Sequence, residues 1–162
     1  MKPLVAGDQD PVPEALADED YCAHAEFRYA MRRYLHVSED QARMRGVTPQ
    51  QLLLLLTVRG HPSFPVVSIG EIAERLQVRP HSASLLVERS VRRGLLTREQ
   101  DQQDRRRVDV SLTPDGAAIL DEIMRVNRRE LRKVGGALTA IMASLDRTRD
   151  DGLPTPAPQS PV

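Results

Sequence analysis

Between Ser68 and Thr113 the chain carries two short helical patterns three residues apart, then two strand patterns flanking a charged tract. Few folds accommodate that order. Ser68-Ile69-Gly70-Glu71 is a capping box, in which the serine hydroxyl accepts from the third-position amide and the glutamate returns to the cap amide. Ile72, Ala73 and Leu76 follow at helical spacing, and the pattern stops near Gln77. Pro80 suits a first helical position and opens a second helix, whose inward face reads Ala83, Leu86, Val87 and Val91 and which closes at Gly94. Two short helices on a tight turn make a helix-turn-helix. Leu95 to Arg98 is strand-like, Glu99 to Arg107 is almost wholly polar, and Val108 to Leu112 alternates with period two, which predicts a β-hairpin wing.

Helical patterns flank this centre. From about 15 to 42, Ala23, Phe27, Ala30, Met31, Tyr34 and Leu35 recur at three- and four-residue steps. Thr48-Pro49 gives a cap and an opening proline for a second helix, nearly apolar all round and hence central, that stops at Gly60. His61 to Val67 reads as a loop with room for one short strand. Thr113-Pro114 repeats the cap-plus-proline signal before a long helix that runs to Gly135-Gly136, and a last helix carries Leu138, Ile141, Met142 and Leu145. With aromatic residues at 3% and no Trp, the core must be built from aliphatic side chains on helices. The expected fold is mainly α with a small β-hairpin wing (α+β). At 162 residues one compact unit is the starting expectation. It divides into a disordered arm at 1–14, a folded domain at 15–147 and a disordered proline-rich tail at 148–162. The winged helix-turn-helix occupies about 48–113, and long dimerisation helices occupy about 15–42 and 114–147.

Net charge is zero, so distribution carries the information. Residues 1–20 hold six acids against Lys2, whereas residues 79–107 hold eight arginines. The second helix of a helix-turn-helix enters the major groove, where base edges present distinct donor and acceptor patterns. Its outward positions here are Arg79, His81, Ser82, Ser84 and Leu85, with Arg89 in reach of phosphate, and the amides of Pro80 to Ser82 favour an anion through the helix dipole. On the wing, Arg105, Arg106 and Arg107 splay from a loop suited to a minor groove, and Asp104 beside them can hold an arginine by a two-point bond. Double-stranded DNA is the expected partner. The apolar stripes of the flanking helices exceed what a three-helix core covers, which predicts a homodimer with recognition helices about 34 Å apart.

The sequence resembles the multiple-antibiotic-resistance regulator (MarR) family. The matching stretches are Val47 to Leu52, Ile69 to Leu76, Leu86-Val87-Glu88-Arg89, Arg93 to Leu96, and Asp104-Arg105-Arg106 followed by Leu112-Thr113. The resemblance covers roughly 21–145 and implies a ligand-responsive repressor that binds an inverted-repeat operator as a dimer. Arg106 would reach the minor groove, Asp104 would orient an arginine, and Ser82 and Ser84 would face the groove. Pro80 and His81 depart from the family's pattern, so base preference does not carry over. The resemblance also implies a small aromatic or anionic effector in the cleft between dimer core and winged helix, with Arg28, Arg32, Arg33 or His36 as anion partners.

Other functions find less support. Cys22 could make the chain a redox-sensing regulator, but Asp18, Glu19 and Asp20 work against a reactive thiolate, and a partly buried inert cysteine is the plainer reading. Cys22, His24 and Glu26 stand at two-residue steps, which point to different helix faces, so no metal site is expected. A winged helix used only for protein contacts would not need arginines on both recognition helix and wing. No nucleotide loop, hydrolase elbow or zinc-protease motif occurs, so no enzyme and no cofactor are expected. No apolar run is long enough to span a bilayer, and with a single cysteine the chain is expected to be cytoplasmic, with no membrane partner.

Overall fold

The computed structural model describes residues 17–101, 104 and 107–150, with side chains as far as residue 144. The element order is α1 (Asp18–Met44), α2 (Pro49–Arg59), β1 (Val67–Ser68), α3 (Ile69–Leu76), α4 (Pro80–Arg92), β2 (Leu96–Gln100), β3 (Val108–Leu112) and α5 (Pro114–Asp150). The strands form one antiparallel sheet in the order β1-β3-β2. Val67 pairs with Val110, and Leu96 to Gln100 pair in register with Leu112 to Val108. Among the described residues no helix is long and apolar enough to cross a membrane.

The helix ends follow from local chemistry. Thr48 and Ser68 both close full capping boxes, with Gln51 and Glu71 as the returning side chains. At the far ends, α1 and α4 finish on Gly46 and Gly94, both at φ 69°, where a glycine takes the left-handed turn without a Cβ clash. In each case the next residue, Val47 or Leu95, bonds back five residues and is buried. The end of α3 has the same pattern of bonds with Gln77 at φ 54° in place of glycine.

Glu71 sits at the centre of these bonds. Its carboxylate accepts from the Ser68 amide at 2.8 Å, the Ser68 hydroxyl at 2.6 Å and the Ser63 hydroxyl at 3.1 Å. The Ser68 hydroxyl first, and then its amide, lower the Glu71 pKa from 4.5 to about 2. A carboxylate depressed in the folded state contributes stability that is present above the unfolded pKa and lost as pH falls through the folded one. Relative to Glu71→Gln, the parent is therefore expected to hold an advantage on the order of 1 kcal/mol, discounted for partial exposure. That advantage is complete above pH 4.5 and closes between pH 4.5 and 2. Thermal melts of both proteins across this range check it, and parallel curves would contradict it.

The chain divides into two compact units rather than one. The first joins the described residues up to Met31 to those from Val134 onward, and the second spans Arg32–Lys133. The reason is the reach of the core, whose buried members lie between Ala42 and Ile123. In the second unit Leu54, Leu55 and Val58 of α2 pack with Ile72 of α3, Ala83 and Val87 of α4, Leu96 and Val110 of the sheet, and Leu120 and Ile123 of α5. In the first unit the buried Asp20 accepts from the Ala17 amide at 3.0 Å and from the buried Ser144 hydroxyl.

Several expectations need correction. α5 runs through Gly135-Gly136 without a break, so there is no separate last helix. A glycine pair lowers helix propensity by about 1 kcal/mol per residue against alanine, but no proline or side-chain cap comes after it to start a new helix. The Thr139 hydroxyl bonds the Gly135 carbonyl instead. The same helix carries on through 148–150, where the tail was expected to begin. α2 is not apolar-buried all round, because Leu53 and Leu56 face outward. On α4 the inward face includes Ser90, fully buried with its hydroxyl on the Leu86 carbonyl at 2.9 Å, while Leu86 itself is half-buried. The first strand of the wing begins at Leu96 and continues to Gln100, because Glu99 and Gln100 pair across the hairpin with Asp109 and Val108. The arm at 1–14 and the tail from 151 lie outside the described residues.

Candidate nucleic-acid interface

α4 presents one continuous outer face. Arg79 is its N-cap in extended conformation and makes no side-chain cap bond. The first intrahelical bond runs from the Ala83 amide to the Arg79 carbonyl, so the amides of His81 and Ser82 precede it. Pro80 has no N–H and contributes none, which narrows the anion-attracting group to those two amides. His81, Leu85 and Arg89 repeat at four-residue steps on the exposed side, with exposed Ser82 beside them. Ser84 is half-buried on the flank.

Beside this face lies a groove of about 370 Å³, lined by Gln50 and Leu53 of α2, Leu76 and Val78 at the turn, and Ser82, Leu85, Leu86 and Arg89 of α4. Gln50, Leu53 and Val78 were not among the sequence-predicted site residues. An exposed leucine inside an apolar helix gives no sign from spacing alone that it borders α4.

The wing is anchored at its base. The Asp104 amide donates to Asp101 Oδ1 at 2.8 Å, and the Arg107 amide donates to the Asp104 carbonyl at 2.8 Å. Arg107 Nε donates to Asp109 Oδ1 at 2.7 Å, and its Nη2 stands 3.9 Å from Glu71 Oε2. The Asp109 hydrogen bond, then its charge, raises the Arg107 pKa further. Arg107 thus ties the wing to the start of α3. Asp101, which closes the turn, is inconspicuous in the sequence because it reads as one more member of a charged run. Glu99, Asp101 and Asp109 line one side of the hairpin together. Arg105 and Arg106 lie outside the described residues.

A separate cleft of about 260 Å³ lies between α1, α2 and the middle of α5. Tyr34, Leu35, Ser38 and Glu39 line it from α1, Pro49, Gln50, Leu52, Leu53 and Leu56 line it from α2, and Asn127 supplies the α5 wall. Gln50 and Leu53 also line the groove beside α4. Arg28, Arg32, Arg33 and His36 are exposed on α1, none lines the cleft, and His36 stands 3.5 Å from Asp40. Cys22 is exposed rather than partly buried. Among the described residues no three His, Cys, Asp or Glu side chains are grouped to hold a metal ion.

Fold and site together define a winged-helix protein whose α4 carries an exposed, arginine-bearing outer face. Residues 45–107 match the model of the MarR family. Over 80 residues the chain is 36% identical to the HTH-type transcriptional repressor MdtR of Bacillus subtilis, a match covering 49% of this chain and 50% of that protein. The chain thus spans about half the length of the curated relatives it matches. The crystal structure of the YusO protein from Bacillus subtilis is similar at 26% identity with a TM-score of 0.57, over 82% of this chain and 93% of that one. A cysteine-to-serine mutant of MarR from E. coli, complexed with operator DNA, shares the fold at 22% identity and a TM-score of 0.60, over 87% of this chain and all (100%) of that one. The winged helix of this chain is thus similar to those of MarR-family regulators.

Proposed function

We propose that the chain is a DNA-binding transcription regulator that represses as a homodimer on an inverted-repeat operator and is released by a small effector. The observation that carries this reading is the outer face of α4, where His81, Ser82, Leu85 and Arg89 stand exposed beside two amides with no helical partner. Small polar groups at the helix start can approach base edges, Arg79 and Arg89 supply charge for phosphates, and Arg105 and Arg106 add charge at the wing. The relatives support it: one is named a transcriptional repressor, and a structural neighbour was solved with operator DNA.

Dimerisation is supported by exposed apolar side chains on the long helices, Tyr21 and Tyr29 on α1 and Leu131, Leu138 and Met142 on α5. Large exposed apolar residues in such number mark an interaction surface. The α1–α2–α5 cleft is the effector site in this reading, since Gln50 and Leu53 line both it and the groove beside the recognition helix.

Arg106→Ala tests the wing. Loss of one minor-groove arginine should weaken operator affinity about 10- to 100-fold and reduce the salt slope by about 1 for each phosphate that the arginine neutralises. Unfolding and dimerisation should be unchanged. Fluorescence anisotropy on the DNA upstream of the gene measures the affinity, and an Arg106→Ala protein that binds like the parent removes the wing from the interface.

A further inference from the structure

We propose that Arg107 is the positioning residue of the wing: held by Asp109 and Glu71, it fixes the hairpin against α3, and operator affinity depends on it although it neutralises no phosphate. The inference rests on the DNA-binding reading above and divides the arginine run of the wing by role.

The sheet gives the reason for a side-chain strut at this point. β1 pairs with β3 at Val67 with Val110 and Ser68 with Asp109, so beyond Asp109 the hairpin is a two-stranded ribbon. A two-stranded ribbon by itself is marginally ordered in water. Its last ladder pair is Gln100 with Val108. Above that pair the Asp101 amide donates to the Arg107 carbonyl at 3.0 Å, and the Arg107 amide donates to the Asp104 carbonyl at 2.8 Å. Arg107 is therefore where the turn that contains Arg105 and Arg106 joins β3.

Residues two apart on an extended chain share a face, which sets the Arg107 side chain beside Asp109. Nε donates to Asp109 Oδ1 at 2.7 Å. Nη2 stands 3.9 Å from Glu71 Oε2, the oxygen that accepts both the amide and the hydroxyl of Ser68. A guanidinium is a planar fork, so partners at Nε and Nη2 fix its direction as one contact to an ammonium would not. The strut thus runs from the outer end of the hairpin to the first turn of α3. With Asp109, Glu71 and also Asp101 acting on it, the Arg107 charge is compensated within the protein, and a phosphate would have to compete with carboxylates already in place. Without the strut the ribbon has to be ordered when DNA binds, which costs affinity.

Anisotropy titrations of the full chain on the DNA upstream of its gene, across a salt series, separate positioning from contact. Arg107→Ala should bind about tenfold more weakly, with a log-log salt slope within about 0.5 of the parent's. Loss of a phosphate contact would instead lower the slope by about 0.9 in each subunit. Asp109→Asn gives the sharper sign. Removing an acid from the wing would by its field alone tighten DNA binding, whereas loss of the strut weakens it several-fold. Arg107→Ala combined with Asp109→Asn should bind no more weakly than Arg107→Ala alone, because both remove one contact. Should Asp109→Asn fail to fold, Glu71→Gln, whose amide oxygen can still accept from Ser68, carries the same test with the same expected sign. A slope lowered in Arg107→Ala as in Arg106→Ala, unchanged or tighter binding by Asp109→Asn, or additive losses in the double variant would each overturn the proposal. A parent that binds this DNA without salt dependence would overturn the DNA-binding reading itself, and the role of the strut with it.

Discussion

Reversing the charge of both α4 arginines, Arg79→Glu with Arg89→Glu, is expected to weaken operator binding by at least about 1,000-fold while leaving thermal unfolding within about 0.5 kcal/mol of the parent. Both side chains are exposed, Arg79 as the N-cap with no cap bond and Arg89 on the outer face, so neither supports the core. In a two-fold dimer the double substitution places four new carboxylates against the DNA backbone. Each phosphate no longer neutralised removes roughly 0.9 from the log-log salt slope, so the variant's residual binding should respond to salt far less steeply. Anisotropy titrations of both proteins from low to moderate salt give both quantities. A variant with parental affinity and slope would mean that α4 does not face DNA.

The second large effect is structural. Gly116→Ala is expected to destabilise the chain by about 3 kcal/mol, with a fall in melting temperature of roughly 10 °C. A Cβ at Gly116 would stand 2.1 Å from the Leu95 carbonyl oxygen and 2.9 Å from its carbon. Those are backbone atoms held on both sides. The Leu95 amide bonds the Ser90 carbonyl at the end of α4, and the Leu95 carbonyl accepts from the Thr113 amide at 3.1 Å. The Thr113 hydroxyl donates to the Gly94 carbonyl at 2.7 Å and accepts from the Gly116 amide at 2.9 Å. The end of α4, the start of the hairpin and α5 thus meet at one junction that has no room for a methyl group. Helix propensity alone would favour alanine by about 1 kcal/mol, so the sign of the change separates the two effects. Gly70→Ala is the control, because a Cβ there meets nothing nearer than the Ser68 hydroxyl at 3.9 Å, and it should be neutral or slightly stabilising.

What the sequence made legible is what local chemistry encodes. The serine and glutamate of one capping box, the threonine and proline at two helix starts, and glycines at two helix ends mark α2 to α5 because each acts within a few residues of itself. Period-two alternation at Val108 to Leu112 did the same for β3. Signals that depend on distant partners were not legible. Gly135-Gly136 reads as a stop from propensity alone, but the residues after the pair decide whether the helix continues. Ser90 looks polar and outward until its hydroxyl is seen on the Leu86 carbonyl. Asn127 and Ser38 are 89 residues apart in the chain, so no local pattern could pair them or leave Oδ1 unsatisfied. Arg107 counted only as one of a basic run, and its bond to Asp109 shows it serving the hairpin base. The candidate site was thus visible as a set of exposed positions on α4, whereas the acidic side of the hairpin and the α2 contribution to the neighbouring groove required three dimensions.

The most direct test of the central claim is the anisotropy of purified protein on the DNA upstream of its gene and on a shuffled control, across a salt series. A DNA-binding regulator should bind the upstream DNA tightly and preferentially, with affinity falling steeply and log-linearly as salt rises. Weak binding to both, with little salt dependence, would contradict the account and point to a winged helix that serves another partner.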